Sequence, residues 1–186
     1  MRHRISSGFT LIELLVVFAL LAVMLMLASP SFITFQRNSR LTSAANSFVG
    51  SLSAARAEAM KRQLRAFVVP TDGSNWANGW RVVVDADNNV TSASVTFDAN
   101  DIEISRQDRL PAGVTIDTSV VSAFTDGSNK YVMFNGSGFM TLISGTYQTG
   151  AIDVTNGYET RRVIAAPTGR LRVCKPADAG CNTTDL

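Results

Sequence analysis

The sequence predicts an α+β chain: one long N-terminal helix, membrane-spanning in its first half, packed through its second half on an antiparallel two-sheet β-sandwich. Three observations predict it. Leu11 to Ala28 is apolar except for Glu13. Leu41, Ala44, Ala45, Phe48, Leu52, Ala55 and Ala59 then recur at helical spacing. After residue 65 the apolar period changes from about 3.6 to 2.

The apolar run comes first. Eighteen residues at about 1.5 Å each reach roughly 27 Å, close to the hydrocarbon thickness of a bilayer. Arg2 and Arg4 precede the run, which places the N-terminus in the cytoplasm and the bulk of the chain outside it. A cleaved secretory signal would have a shorter apolar core followed by a small-residue exit. Ala28-Ser29-Pro30 is a poor exit of that kind, and the helical pattern resumes beyond it. Glu13 is the unusual residue. A carboxylate within a bilayer is costly and marks function, and the helix supplies no cation at its depth. Cutting the chain between Gly8 and Phe9 would create one, the α-amino group of Phe9, which a neighbouring subunit can offer to Glu13.

Pro30 is expected to kink or locally melt the helix near Met26–Pro30. The expected organisation is a leader over 1–8, a transmembrane half-helix over 9–29, an amphipathic half-helix over 30–65, and a β-rich periplasmic domain over 66–186. Strands are expected at Ala66–Val69, Trp80–Val84, Ser94–Phe97, Ile102–Arg106, Val114–Thr118, Lys130–Phe134, Phe139–Ile143, Ala151–Thr155, Glu159–Ala165 and Arg170–Cys174. Thr71-Asp72-Gly73-Ser74-Asn75 is turn chemistry.

Composition narrows the function classes. The net charge of +2 over 186 residues rules out a polycation, so affinity for an anionic partner must come from a local patch. The single histidine, His3, lies in the expected leader. With no nucleophile–base or paired-acid constellation and no glycine-rich phosphate loop, the expectation is a binding and assembling protein, not an enzyme, with no cofactor. Asp85-Ala86-Asp87-Asn88-Asn89 weakly resembles a calcium loop, but it lacks the central glycine and has Thr96 at the twelfth position, so it reads as a hairpin turn. No metal site is expected. Cys174 and Cys181, closely spaced in a translocated domain, read as a disulfide; two thiols without a nearby histidine are a poor zinc site.

Gly8-Phe9-Thr10-Leu11-Ile12-Glu13 before an apolar run resembles the class III signal of type IV prepilins and type II secretion pseudopilins. The resemblance implies cleavage after Gly8 by a prepilin peptidase, N-methylation of Phe9, and Glu13 as the acid guiding entry into a filament of other pilin or pseudopilin subunits. It also implies an inner-membrane, single-pass precursor. Trp76, Gly79-Trp80-Arg81-Val82, Leu110-Pro111-Ala112-Gly113-Val114 and Phe134-Asn135-Gly136-Ser137-Gly138 resemble the group of FimT/FimU minor pilins and H-type (GspH) pseudopilins.

One charge cluster stands out. Residues 159–175 hold Arg161, Arg162, Arg170, Arg172 and Lys175 against Glu159 alone, a local charge of +4. In a hairpin turning at Pro167-Thr168-Gly169, Arg170 and Arg172 share one face, and one of Arg161 and Arg162 joins them. Gly169-Arg170-Leu171-Arg172 resembles the GRxR signature of FimT-type minor pilins that bind DNA in natural transformation. That resemblance implies phosphate contacts from Arg170 and Arg172, with Lys175 and Arg161 or Arg162 in support, and double-stranded DNA as a partner. Two other readings remain open: a priming minor pilin without DNA binding, and an H-type pseudopilin of a type II secretion system.

Overall fold

The structure, a computed structural model, describes residues 9–118 and 124–181, without the side chains of residues 27–31. Gly8 lies outside the described residues. Helix α1 runs Leu11–Arg62. It is followed by β1 (Arg65–Pro70), β2 (Trp80–Asp85), β3 (Ile102–Gln107), β4 (Thr115–Asp117), β5 (Thr125–Asp126), β6 (Asn129–Lys130), β7 (Val132–Phe134), β8 (Gly150–Thr155), β9 (Thr160–Ala165) and β10 (Leu171–Cys174). A short 3₁₀ turn, Trp76–Asn78, precedes β2.

The chain divides into two compact units, residues 1–37 and 38–186. In the first, the helix shows exposed apolar side chains from Leu11 to Met26. No helix among the described residues is long and apolar enough to cross a membrane. The expected span over 9–29 includes residues 27–29, whose side chains lie outside the description. The melting expected at Pro30 is absent, since α1 is helical through it. A proline removes one rung of the hydrogen-bond ladder and leaves the rungs on either side.

In the second unit, every apolar position of the predicted stripe is buried: Leu41, Ala44, Ala45, Phe48, Leu52, Ala55 and Ala59. They share one core with both sheets. The first sheet has the order β3-β2-β1-β7 and the second β10-β9-β8-β4, with antiparallel neighbours throughout. The first contributes Val68, Val82, Val84 and Phe134; the second contributes Ile152, Val154, Val163 and Ala165. Phe48 sits at the centre. Its ring meets Trp76 at 5.3 Å and Trp80 at 5.1 Å, both edge-on, and Phe124 at 6.2 Å. The Trp80 indole donates to Ser51 Oγ at 2.8 Å, which satisfies a buried N–H from the helix itself.

Two expected strands do not form. Ser94–Phe97 has only an isolated bridge between Thr91 and Ser94, and Phe139–Ile143 only bridges at Met140 and Thr141. The alternation there has another cause. Phe67, Val69, Tyr131 and Met133 point away from α1, on the back of the first sheet, and Val95, Phe97, Leu142 and Ile143 cover them. One-sided burial produces the alternation at Val95 and Phe97 without a pairing partner, whereas in 139–143 Met140 enters the main core and the adjacent Leu142 and Ile143 both cover the back of the sheet. Lys130–Phe134 is also divided: Asn129–Lys130 closes a two-residue ribbon with β5, while β7 pairs with β1.

The chain bends away from β2 after Asp85, at the start of a long connection to β3 and not in a tight hairpin turn. Asp85 is fully buried against the Arg65 guanidinium, and Asn88 adopts a left-handed φ of 59°. Asp87 and Asp101 lie close to Asp85, but their oxygens accept from Asn89, Asn100, and the backbone N–H groups of Ala86 and Asp98. At the preceding turn, Asp72 accepts from Asn78, Asn75 and Ser74, which holds its carboxyl well below the usual range.

Candidate functional site

Two regions hold the residues that the sequence singled out. At the start of α1, Phe9 is largely exposed. Thr10 is the helix cap: its Oγ accepts the Glu13 N–H at 3.3 Å, while Glu13 Oε2 accepts the Thr10 N–H and hydroxyl, each at 3.0 Å. This is a reciprocal capping box, in which two orphan donors of the first turn satisfy each other's residues. Glu13 therefore has a local task in addition to any partner in an assembly. The Thr-x-x-Glu spacing of a capping box is present in the sequence at Thr10–Glu13.

The second region is the β9–β10 hairpin. Its register pairs Leu171 with Ala165, Arg172 with Ile164, Val173 with Val163, and Cys174 with Arg162. Leu171 and Val173 pack on the main core with Val163 and Ala165. Arg172, Cys174, Ile164 and Arg162 share the opposite face, so the register assigns Arg162, not Arg161, to the face of Arg172. Cys174 and Cys181 form a disulfide, and Cys181 packs with Ile164 and Ala151 on that outer face.

The five cations are not equivalent. Arg162 is clamped by Asp153 through two 2.8 Å bonds, which raise its pKa and neutralise its charge. Arg161 reaches Glu159 at 2.9 Å, and Lys175 reaches the same carboxylate at 3.6 Å. The Arg161 bond and the Lys175 charge together hold Glu159 below the ordinary glutamate range. Arg172 donates to the Gly180 carbonyl inside the disulfide loop and pairs with no carboxylate among the described residues. Arg170 is exposed; its carbonyl accepts from the Ala166 N–H at 2.9 Å, and its side chain has no hydrogen bond or ion pair among the described residues. Strand pairing thus leaves Arg170 and Arg172 as the available cations, plus the excess of Arg161 and Lys175 over Glu159.

Arg56 completes the site and was missed from sequence. Its guanidinium donates to the carbonyls of Gly138 (Nε, 3.0 Å), Gly169 (3.1 Å) and Thr168 (2.9 Å). Helix α1 thereby fixes the Pro167–Gly169 turn. A signal existed: Arg56 lies one turn from Leu52 on the edge of the apolar stripe, where a charge needs a partner. An open groove of about 400 Å³ between α1 and the turn is lined by Arg56 and Arg170 together with Val49, Ala57, Met60 and Leu171.

Gly169 is required by this geometry. Its φ is 77°, and a Cβ there would lie 2.5 Å from both Arg56 Nε and the Gly138 carbonyl oxygen. Gly169→Ala should cost about 2–3 kcal/mol, combining left-handed strain with displacement of Arg56. Urea unfolding of the variant measures it, and a loss below about 0.5 kcal/mol would contradict the clamp.

Comparison with known proteins agrees with this architecture. The family model described as Type II transport protein GspH matches residues 44–169, and that of the prokaryotic N-terminal methylation motif matches residues 3–29. No curated protein matches the chain. Among solved structures, the chain is similar to the type IV minor pilin FimU of Pseudomonas aeruginosa in two crystal forms. One has a TM-score of 0.57 at 18% identity, covering 77% of this chain and 95% of that one. The other has a TM-score of 0.52 at 13% identity, covering 74% and 94%. The minor pseudopilin EpsH of Vibrio cholerae gives 0.48 at 17% identity, over 75% and 99%.

Proposed function

Because the chain belongs to the GspH family of pilin-like proteins, as a minor pilin or pseudopilin subunit of a type IV pilus or type II secretion system, we propose that it is a minor pilin of a type IV pilus whose arginine hairpin holds DNA. In this reading a prepilin peptidase cuts after Gly8 and Phe9 becomes the methylated N-terminus. The helix from residue 9 to 29 anchors the precursor in the inner membrane, and the domain over 66–186 faces the periplasm. Glu13 draws the subunit into a filament of other pilins.

The observation that carries the DNA reading is the state of Arg170 and Arg172. Neither pairs with a carboxylate among the described residues; Arg170 follows the turn fixed by Arg56, and Arg172 lies on β10, tied through Gly180 to the disulfide loop. Arginine forks of this kind suit phosphates. The hairpin offers no helix for the major groove, so the binding is weak and indifferent to sequence.

With about three phosphates neutralised, log affinity should fall against log salt with a slope of about −3. Arg170→Ala should flatten it by about one unit. Glu159→Gln, which releases Arg161 and Lys175, should steepen it by about one. Fluorescence anisotropy of labelled DNA with the full-length chain in uncharged detergent reads all three. A folded chain that binds no DNA at low salt, or an unchanged slope in Arg170→Ala, removes the DNA role. The family description as a type II transport protein then favours the secretion reading.

A further inference from the structure

Beside the arginine turn lies an exposed aromatic pair that the function above leaves unused. Phe139 and Tyr147 stack edge to face with ring centroids 5.6 Å apart, and Tyr147 is 63% exposed. The segment that carries Phe139 is bonded to the turn on both sides. The Gly138 carbonyl shares the Arg56 guanidinium with Gly169, and the Met140 N–H donates to the Pro167 carbonyl at 2.8 Å. The Thr141–Tyr147 bridge holds the second ring over the first. The Gly138 oxygen lies within 2.5 Å of where a Gly169 Cβ would stand. Summing bond lengths and one Cα step on each side puts the Cα atoms of Phe139 and Arg170 no more than about 14 Å apart.

Exposed stacked aromatics beside fixed and free arginines form a combination that duplex DNA cannot use. Its bases are stacked on one another and offer no faces, so a duplex engages only the arginines. An unpaired strand offers both phosphates and open bases. Resting on the DNA reading above, we infer that this face binds single-stranded nucleic acid in preference to duplex: Arg170 takes a phosphate, and Phe139 and Tyr147 take bases. Arg56 acts as a positioning residue. Each of its nitrogens already donates to a carbonyl.

The test compares one fluorescent oligonucleotide of about 20 nucleotides, alone and annealed to its complement, with the full-length chain in uncharged detergent. The single strand should bind more tightly. Tyr147→Ala should weaken single-strand binding about tenfold and leave duplex binding unchanged. Tyr147→Phe, which keeps the ring, should bind like the parent. Arg170→Ala should weaken both. Equal binding of the two forms, or indifference of the single strand to Tyr147→Ala, overturns the inference while the DNA reading stands. No binding of either form at low salt overturns both.

Discussion

Phe48→Ala should destabilise the residue 38–186 unit by about 3–5 kcal/mol and lower its Tm by about 10 °C or more. The ring is fully buried and touches Trp76, Trp80 and Phe124, none of which can collapse into the space without leaving its own partners. Against a typical total stability of about 5–15 kcal/mol, that loss is a large fraction. Phe48→Leu keeps most of the volume and should cost well under half as much. Thermal melts and urea titrations of the two variants beside the parent check this. A loss below about 1 kcal/mol for the alanine variant would mean that Phe48 is not the keystone of the joint between α1 and the sheets.

Glu13→Ala should nearly abolish recovery of the subunit in sheared filaments while leaving its amount in the membrane fraction unchanged. The alanine variant loses two things, the capping box and the negative charge. The box is worth only about 1 kcal/mol, too little to exclude a subunit. Glu13→Gln separates them, because its amide oxygen still accepts from the Thr10 N–H and hydroxyl but carries no charge. Attraction to a neighbour's Phe9 amine predicts that the glutamine variant fails as the alanine variant does. Immunoblots of sheared filaments and of membranes decide it. A glutamine variant that incorporates like the parent would show that Glu13 works as a cap, and the charge-pairing account of assembly would be wrong.

Legibility in the sequence followed the range of the interactions. The apolar stripe of α1, the Cys174–Cys181 pair and the turn at Thr71–Asn75 were readable because each depends on spacing within a few residues. The strands placed at Ser94–Phe97 and Phe139–Ile143 were not, because apolar residues report burial, on one side at Val95 and Phe97 and on two at Met140 and Leu142–Ile143, and not the presence of a hydrogen-bonded neighbour. The charge cluster was readable as a cluster but not as a set of free cations. Asp153 meets Arg162 across the β8–β9 register, which no local pattern encodes. Arg56 was the hardest, since its acceptors at Gly138, Thr168 and Gly169 lie more than eighty residues away and are carbonyls with no side-chain signature.

Helix α1 places its fold-making side chains, from Leu41 to Ala59, in one compact unit and its exposed apolar side chains, Leu11 to Met26, in the other. One continuous element thus answers to two independent selections. A survey of heat resistance is blind to its first half, and a survey of fibre yield at permissive temperature is lenient toward its second. Exchanging residues 9–37 for the matching segment of another such subunit should therefore leave the thermal midpoint of the 38–186 unit unchanged.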